Sequence, residues 1–239
     1  MQEVKEKTNI KIGDVETFSI VDFPNVISAV VFMQGCPWRC PFCYNTELQK
    51  TANMSNVNWS KFLEFLRKRK GILEGVVFSG GEPLMQVEGL LSAIDDVKDL
   101  GYKVGLHTGG FDSEALKKIA EKLDWVGLDI KAPFEAAVYK TATKNFANVE
   151  KIKESIRVLQ AAKVHFECRT TCDPRFLQID SIYKIAEQLK KMGVEEYYLQ
   201  KYRPVEGDVT EASERDKFFI NNNLISYLHN TFKIFDVRK

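Results

Sequence analysis

The chain lacks several things that would classify it at once. No run approaches the roughly 18 consecutive apolar residues of a membrane-spanning helix, and the opening MQEVKEKTNIKIGD has no apolar core of the kind a secretory signal needs. The expectation is a cytoplasmic protein with no membrane association. Net charge is almost absent: 34 Lys and Arg against 33 Asp and Glu leave +1, with the two signs interspersed along most of the chain. That balance provides no basic field for general nucleic-acid binding. Histidine is scarce, with only His107, His165 and His229, and none has paired ligand spacing. No repeat, low-complexity linker or composition shift divides the 239 residues, which at 44% hydrophobic content suffice for one core. A single domain over 1–239 is expected.

What is present is an alternation of short apolar runs with stretches of helical period. After a hairpin-like start, with Gly13–Asp14 read as its turn, strand-like runs fall at 26–34, 75–81, 102–110, 125–132, 164–171 and 195–202. Helix-like segments fall at 58–70, 87–101, 112–123, 148–163 and 181–193, with Asp112 or Ser113 opening one and Gly101 and Gly193 closing two. A tail from 203 to 239 holds one more helix candidate, about 211–229, and the strand-like FKIFDV. Continuous apolar strands joined by helices argue a parallel sheet covered on both faces, either doubly wound or a barrel. Six units are too few for a complete eight-fold barrel. The organisation is thus an N-terminal hairpin extension (1–25), a (βα)6 core (26–202) and a C-terminal extension (203–239).

Five cysteines are few, but three crowd into GCPWRCPFCYN as Cys36, Cys40 and Cys43. In a reducing compartment such clustering favours metal or redox chemistry over disulfides. Closed zinc sites normally take four ligands, commonly as two separated pairs, and this loop has three with no second pair nearby. An iron–sulfur cluster with one open iron, a zinc site that recruits a distant histidine, and three structural thiols are the readings the spacing leaves. Pro37 and Pro41 argue against a regular helix through the loop. Trp38 and Phe42 read either as a shield from water or as ordinary loop anchors. FSGGEPL at 78–84 is the second signal: glycines at a strand end permit close backbone approach to a ligand, although tight strand-to-helix turns carry glycine for steric reasons too. In parallel α/β folds, functional residues collect where strands end. Cys36, Cys40, Cys43, Gly80, Gly81, Glu82, His107–Gly110, Asp129, Lys131, Arg169, Thr171, Gln200 and Lys201 all sit at such ends. Cys168 alternates with Arg169 and Thr171, so it reads as a small buried apolar residue beneath the covering helices.

The Cys-x3-Cys-x2-Cys loop together with GGEP resembles the radical S-adenosylmethionine (SAM) enzymes over almost the whole chain. The resemblance implies a partial (βα)6 TIM-like barrel. It also implies a [4Fe–4S] cluster on Cys36, Cys40 and Cys43, whose fourth iron is chelated by SAM. One electron then cleaves SAM to a 5′-deoxyadenosyl radical that abstracts hydrogen. Ser79, Gly80, Gly81 and Glu82 would contact the methionyl ammonium, and Phe42, Tyr44, His107, Asp129, Lys131 and Arg169 would line the cofactor. VDFPN, CYN, LDIKAP, CRTT and LQKYRP are similar to activating enzymes of glycyl radical enzymes, most of all those of anaerobic ribonucleoside-triphosphate reductase. The substrate would be a backbone glycine of that partner, and the electron donor a flavodoxin or ferredoxin. About 35 residues between Cys43 and Gly80 leave no room for a ferredoxin-like insert, so one cluster is expected. Two departures stand out: Tyr44 replaces the histidine common in pyruvate formate-lyase activases, and HTGG replaces Asp-Thr-Asn-Gly. Competing readings are a formate-lyase-type activase, a small-molecule enzyme like the deazaguanine synthases, and a non-catalytic zinc or redox module.

Overall fold

The computed structural model describes residues 8–51, 57–145, 147–205 and 207–238; residues 1–7 of the expected N-terminal extension lie outside them. One sheet holds eight strands in chain order: β1 (Ile12–Ser19), β2 (Ser28–Met33), β3 (Gly75–Gly80), β4 (Lys103–Thr108), β5 (Trp125–Asp129), β6 (His165–Cys172), β7 (Glu196–Lys201) and β8 (Ile234–Arg238). β1 is antiparallel to β2 and every other neighbouring pair is parallel. The six core strands are where the apolar runs placed them, and the sheet is a partial barrel with free edges at β1 and β8. Helices cover its outside: α1 (Trp59–Lys68), α2 (Val87–Asp99), α3 (Ser113–Ile119), α4 (Ala136–Thr143), α5 (Val149–Ala161), α6 (Ile179–Lys191), α7 (Ala212–Asp216) and α8 (Asn222–Thr231). Their apolar stripes are what the helical period demands; α2, for example, buries Leu90, Ala93, Ile94 and Val97 against the strands. No described helix is long and apolar enough to cross a membrane.

Three expectations need correction. The N-terminal reversal does not fall at Gly13–Asp14, because β1 runs through both and the chain turns back within 20–27. Gly13 is glycine for room: a Cβ there would lie 2.0 Å from the Leu48 side chain of the cysteine loop. Helix α4 was not expected; its eight residues are too short for a clear helical period. The single C-terminal helix is two, and Asn221 opens the second by accepting from the Leu224 amide.

Side chains alternate strictly across the parallel strands, and the two faces differ in kind. Outward residues such as Val31, Phe78, Leu106, Leu128, Cys168 and Leu199 join one large apolar core with the helices. Inward residues are apolar only near the floor. There Phe23, from the β1–β2 connection, stacks on Trp125 with ring centroids 5.5 Å apart and packs with Val26, Val30 and Val77. Gly75 and Gly105 make room for it, since a Cβ on either would meet the Phe23 ring at 3.2 Å. VDFPN therefore closes the barrel floor, and the polar cleft lies above it. Phe23→Ala should cost about 3–5 kcal/mol of stability, read as a lower denaturation midpoint; a loss under about 1 kcal/mol would mean the floor is not held by this ring.

Candidate active site

Above the floor, the carboxyl ends of β2 to β6 surround one cleft. Its lining includes Cys36, Cys40 and Cys43, Trp38 and Phe42, Ser79 to Glu82, His107 to Gly109, Asp129, Lys131 and Thr171. The structure thus gathers Phe42, Ser79, Gly80, Gly81, Glu82, His107, Asp129 and Lys131 around the three thiols. Arg169 stands behind Asp129. Tyr44 is 55% exposed and is not part of the lining.

The cysteine loop is rooted by backbone pairing that continues past the ends of β2 and β3. The Gly81 amide donates to the Met33 carbonyl and the Glu82 amide to the Gly35 carbonyl, both at 2.8 Å. Gly35 and Cys36 in turn donate to the Leu48 and Gln49 carbonyls, which fold the loop back on itself. Only glycine fits this seam. A Cβ on Gly81 would sit 2.1 Å from the Gly35 carbonyl oxygen, and Gly80 has φ +104° with Met33 backbone 2.3 Å from its missing Cβ. The close approach that the glycines permit is therefore to the cysteine loop itself. Glu82 is 2% exposed, and its carboxylate already accepts from Leu84 N (3.2 Å), Thr108 Oγ1 (2.6 Å) and Gly109 N (2.9 Å). Burial raises its pKa against those donors. The side chain is a brace between β3 and β4, so the stretch offers the cleft Ser79 and backbone.

More distant segments hold the outer half of the loop. Asn145 Nδ2 donates to the Pro37 carbonyl at 2.6 Å, and Arg39 donates to the Cys36 and Trp38 carbonyls at 2.7 Å each. After β6, the DPRF turn grips the loop twice: Arg175 donates to the Pro41 carbonyl at 3.3 Å, and Phe176 stacks on Phe42 at 5.5 Å. Arg175 is itself held by buried Asp173 and by Asp208 at 3.0 Å, and Asp208 accepts from the Tyr202 hydroxyl. Trp38 stands on bare Gly109, whose Cβ would be 2.2 Å from the indole, and meets Phe111 and Tyr139. Trp38 and Phe42 are thus anchors and walls together.

A chain of alternating charge crosses the cleft. Arg169, 6% exposed, donates through Nε to Asp129 Oδ1 at 2.9 Å, and Asp129 Oδ2 faces Lys131 Nζ at 3.7 Å. Lys131 Nζ lies 5.6 Å from both the Trp38 and Phe42 ring centroids. Burial opposes the Lys131 charge, yet Asp129, Cys40, Tyr139 and Cys36 raise its pKa above the ordinary lysine value. Burial opposes the Asp129 charge as well, but Arg169 and Lys131 hold its carboxyl below the usual range. The Cys36 thiol is pushed up to about 12, chiefly by burial. Metal binding there must displace a proton, so loading is favoured by higher pH.

The donor set suits a multi-iron cluster better than one ion. Three thiols share a loop and a cleft, but among the described residues no three His, Cys, Asp or Glu side chains converge on a single-ion position. Zinc needs its ligands together at about 2.0–2.3 Å, whereas each thiolate of a cluster binds its own iron. Cys168 and Cys172 are fully buried on the outer face, His165 is exposed beside Glu196, and His229 packs its ring edge-on to Phe235.

A cleft of three thiols at the mouth of a partial parallel barrel defines a class, and residues 30–172 match the Radical SAM superfamily. The chain belongs to that superfamily. Its relatives include proteins named as glycyl-radical enzyme activating enzymes. MJ1227 of Methanocaldococcus jannaschii, which carries that name, is 27% identical over 243 residues, covering 93% of this chain and 98% of that one. The pyruvate formate-lyase-activating enzyme of Clostridium pasteurianum is 34% identical over 125 residues, and the match spans about half of each protein, 51% and 52%. Two solved structures share the fold. Streptococcus suis SuiB bound to S-adenosylmethionine has a TM-score of 0.69 at 13% identity, covering 90% of this chain and 52% of SuiB. A radical SAM methyltransferase from Sphaerobacter thermophilus has 0.68 at 14%, covering 90% and 67%.

Sequence reasoning marked VDFPN only as a likeness and gave Asp22 and Phe23 no part in a floor, and it did not single out the Arg175–Phe176 clamp or Gln34, whose side-chain amide donates to the Glu47 and Lys50 carbonyls. A Pro-containing turn directly after a strand end was the available signal for the clamp. Two outcomes are expected. Gly81→Ala should leave a folded protein that retains markedly less iron than wild type after anaerobic reconstitution; full iron content would show that the seam tolerates a Cβ. The His107 ring, partly buried and beside Arg169, has its pKa lowered from 6.5 to about 3. The unfolded chain therefore takes up a proton below pH 6.5 while the folded chain does not. Stability should fall as pH drops from about 6.5 toward 3, by at most about 1.4 kcal/mol per pH unit from this group, with the slope reduced in His107→Gln.

Proposed function

We propose that this radical SAM enzyme activates a glycyl radical enzyme, and that its partner is an anaerobic ribonucleoside-triphosphate reductase. The observation that carries the reading is the convergence of Cys36, Cys40 and Cys43 with Ser79, Gly80, Gly81, Asp129 and Lys131 on one cleft. The three cysteines would hold one [4Fe–4S] cluster. Ser79 with the Gly80–Gly81 backbone, Asp129 and Lys131 would hold SAM, with Arg169 behind them. Such a pair supplies one-electron cleavage and abstraction of a hydrogen atom.

The chain's own part is to bind, orient and exclude water. Phe23 and Trp125 seal the floor, so approach to the cleft is from the mouth or the open side. Trp38, Phe42 and Phe176 form an aromatic wall beside the thiols, lowering the local dielectric. The Arg169–Asp129–Lys131 chain is rigidly paired, so it sets charge and position without a proton transfer. A barrel open between its edge strands suits a polypeptide strand, whose glycine has to reach near-attack distance. The names of MJ1227 and the formate-lyase activases support the activase reading. The choice of reductase over formate-lyase rests on the VDFPN, LDIKAP, CRTT and LQKYRP stretches and on Tyr44 and HTGG in place of the formate-lyase-type residues.

The test is direct. Anaerobically reconstituted protein should bind about four irons. Reduced by dithionite, or by a flavodoxin or ferredoxin, it should cleave SAM and raise a glycyl radical signal by electron paramagnetic resonance in the reductase but not in a formate-lyase. Cys40→Ala should lose iron and signal together. A signal only in formate-lyase would reassign the partner. SAM cleavage with no protein radical would favour a small-molecule substrate, and stoichiometric zinc with no SAM cleavage would overturn the enzymatic reading.

A further inference from the structure

His107 and Ser79 face the cleft from neighbouring strands, β4 and β3. His107 Nδ1 lies 3.2 Å from Ser79 Oγ, and Nε2 lies 2.9 Å from the Asp22 backbone carbonyl oxygen. A carbonyl oxygen only accepts, so Nε2 must carry a ring proton. Burial and the Arg169 charge oppose a second proton more strongly than Asp129 and the Asp22 carbonyl favour one, so the ring is neutral. Nδ1 then presents a bare lone pair, and the Ser79 hydroxyl has to donate to it. A hydroxyl owns one proton. With that proton committed to His107, Ser79 Oγ can show the cleft only acceptor lone pairs.

The β1–β2 connection fixes this polarity. Phe23 is seated on Trp125, which also meets the His107 ring edge-on at 5.5 Å, and Asp22 Oδ2 accepts from Ser19 Oγ at 2.6 Å. The carbonyl that selects the tautomer is thus anchored on both sides. Among the described residues the two carboxylates of the cleft lining are both engaged, Glu82 by Thr108, Gly109 and Leu84, and Asp129 by Arg169 and Lys131. The acceptor a cationic ligand group would meet here is a neutral oxygen whose direction is set from behind.

We propose that His107 is a positioning residue which, through a fixed Nε2–H tautomer, makes Ser79 Oγ an obligate hydrogen-bond acceptor for the methionyl ammonium of SAM. The proposal deepens the cofactor reading above and rests on it for the identity of the cation. It gives a role to HTGG that does not require His107 to touch the cofactor.

The test compares equilibrium binding of SAM and of its analogue with hydrogen in place of the amino group, in cluster-loaded protein, alongside nitrogen NMR of the His107 ring before SAM is added. Wild type should show the neutral Nε2–H tautomer at pH 7 and prefer SAM. Ser79→Ala should reduce that preference on the order of tenfold while leaving affinity for the analogue unchanged. His107→Phe, which frees the hydroxyl to turn either way, should reduce it by a smaller factor, and His107→Gln, which keeps an acceptor, should restore most of it. Because Ser79→Ala leaves the floor intact, it answers even if His107→Phe unfolds. A ring protonated on Nδ1, or an unchanged preference in Ser79→Ala, overturns the proposal. A wild type with the expected tautomer that binds neither compound overturns the cofactor reading and the proposal with it.

Discussion

The site depends on one steric condition: two strands must run so close past their ends that no side chain fits between them. Gly80 and Gly81 meet that condition, with Met33 and Gly35 backbone at 2.1–2.3 Å from where a Cβ would be. Because the backbones touch, the β2–β3 ladder extends beyond the sheet and the first cysteine leaves from a fixed point. The other supports act on a loop whose root is already set. Gln34 holds its returning limb, Asn145 its near half, and Arg175 with Phe176 its far half.

A second condition is the division of the barrel interior into a dry floor and a polar upper storey. Parallel sheets are normally apolar on both faces, and here the outer face is. The inner face is apolar only around Phe23 and Trp125 and then becomes a set of paired or hydrogen-bonded groups: Ser79 with His107, Asp129 with Arg169 and Lys131, Glu167 with Arg238. Such groups are costly without partners, so the interior is a set of mutual obligations. Lys131 is the member best placed to act on a ligand. It is a cation held between two aromatic faces and a carboxylate, beside the thiols.

Much of this was legible in the sequence because the period of side chains encodes which face is covered. Six strands and five helices followed from it, as did the convergence of the ends of β2 to β6, although Gln200 and Lys201 at the end of β7 are not in the cleft lining, and the spacing of Cys36, Cys40 and Cys43 marked the site. What escaped had no periodic signature. Gly13 looked like a turn, but its reason lies in Leu48, 35 positions away by number. That Glu82 also braces two strands was not legible, because nothing local reveals that Thr108 and Gly109 lie within reach of its carboxylate. Helix α4 was too short to announce itself, and the Arg175 clamp depends on Pro41, 134 residues earlier.

That last separation has a bearing on time. In a chain made from its N-terminus, the three thiols emerge early, whereas the groups that hold their loop come far later: Asn145 is 108 residues beyond Pro37, and Arg175 is 134 beyond Pro41. Until those arrive, the loop lacks the partners that hold its outer half. Contacts of such long range form late, since loop closure has to come before the reward. The outer half of the cysteine loop therefore gains its supports only once the chain has been made as far as Arg175, well past the middle of the barrel.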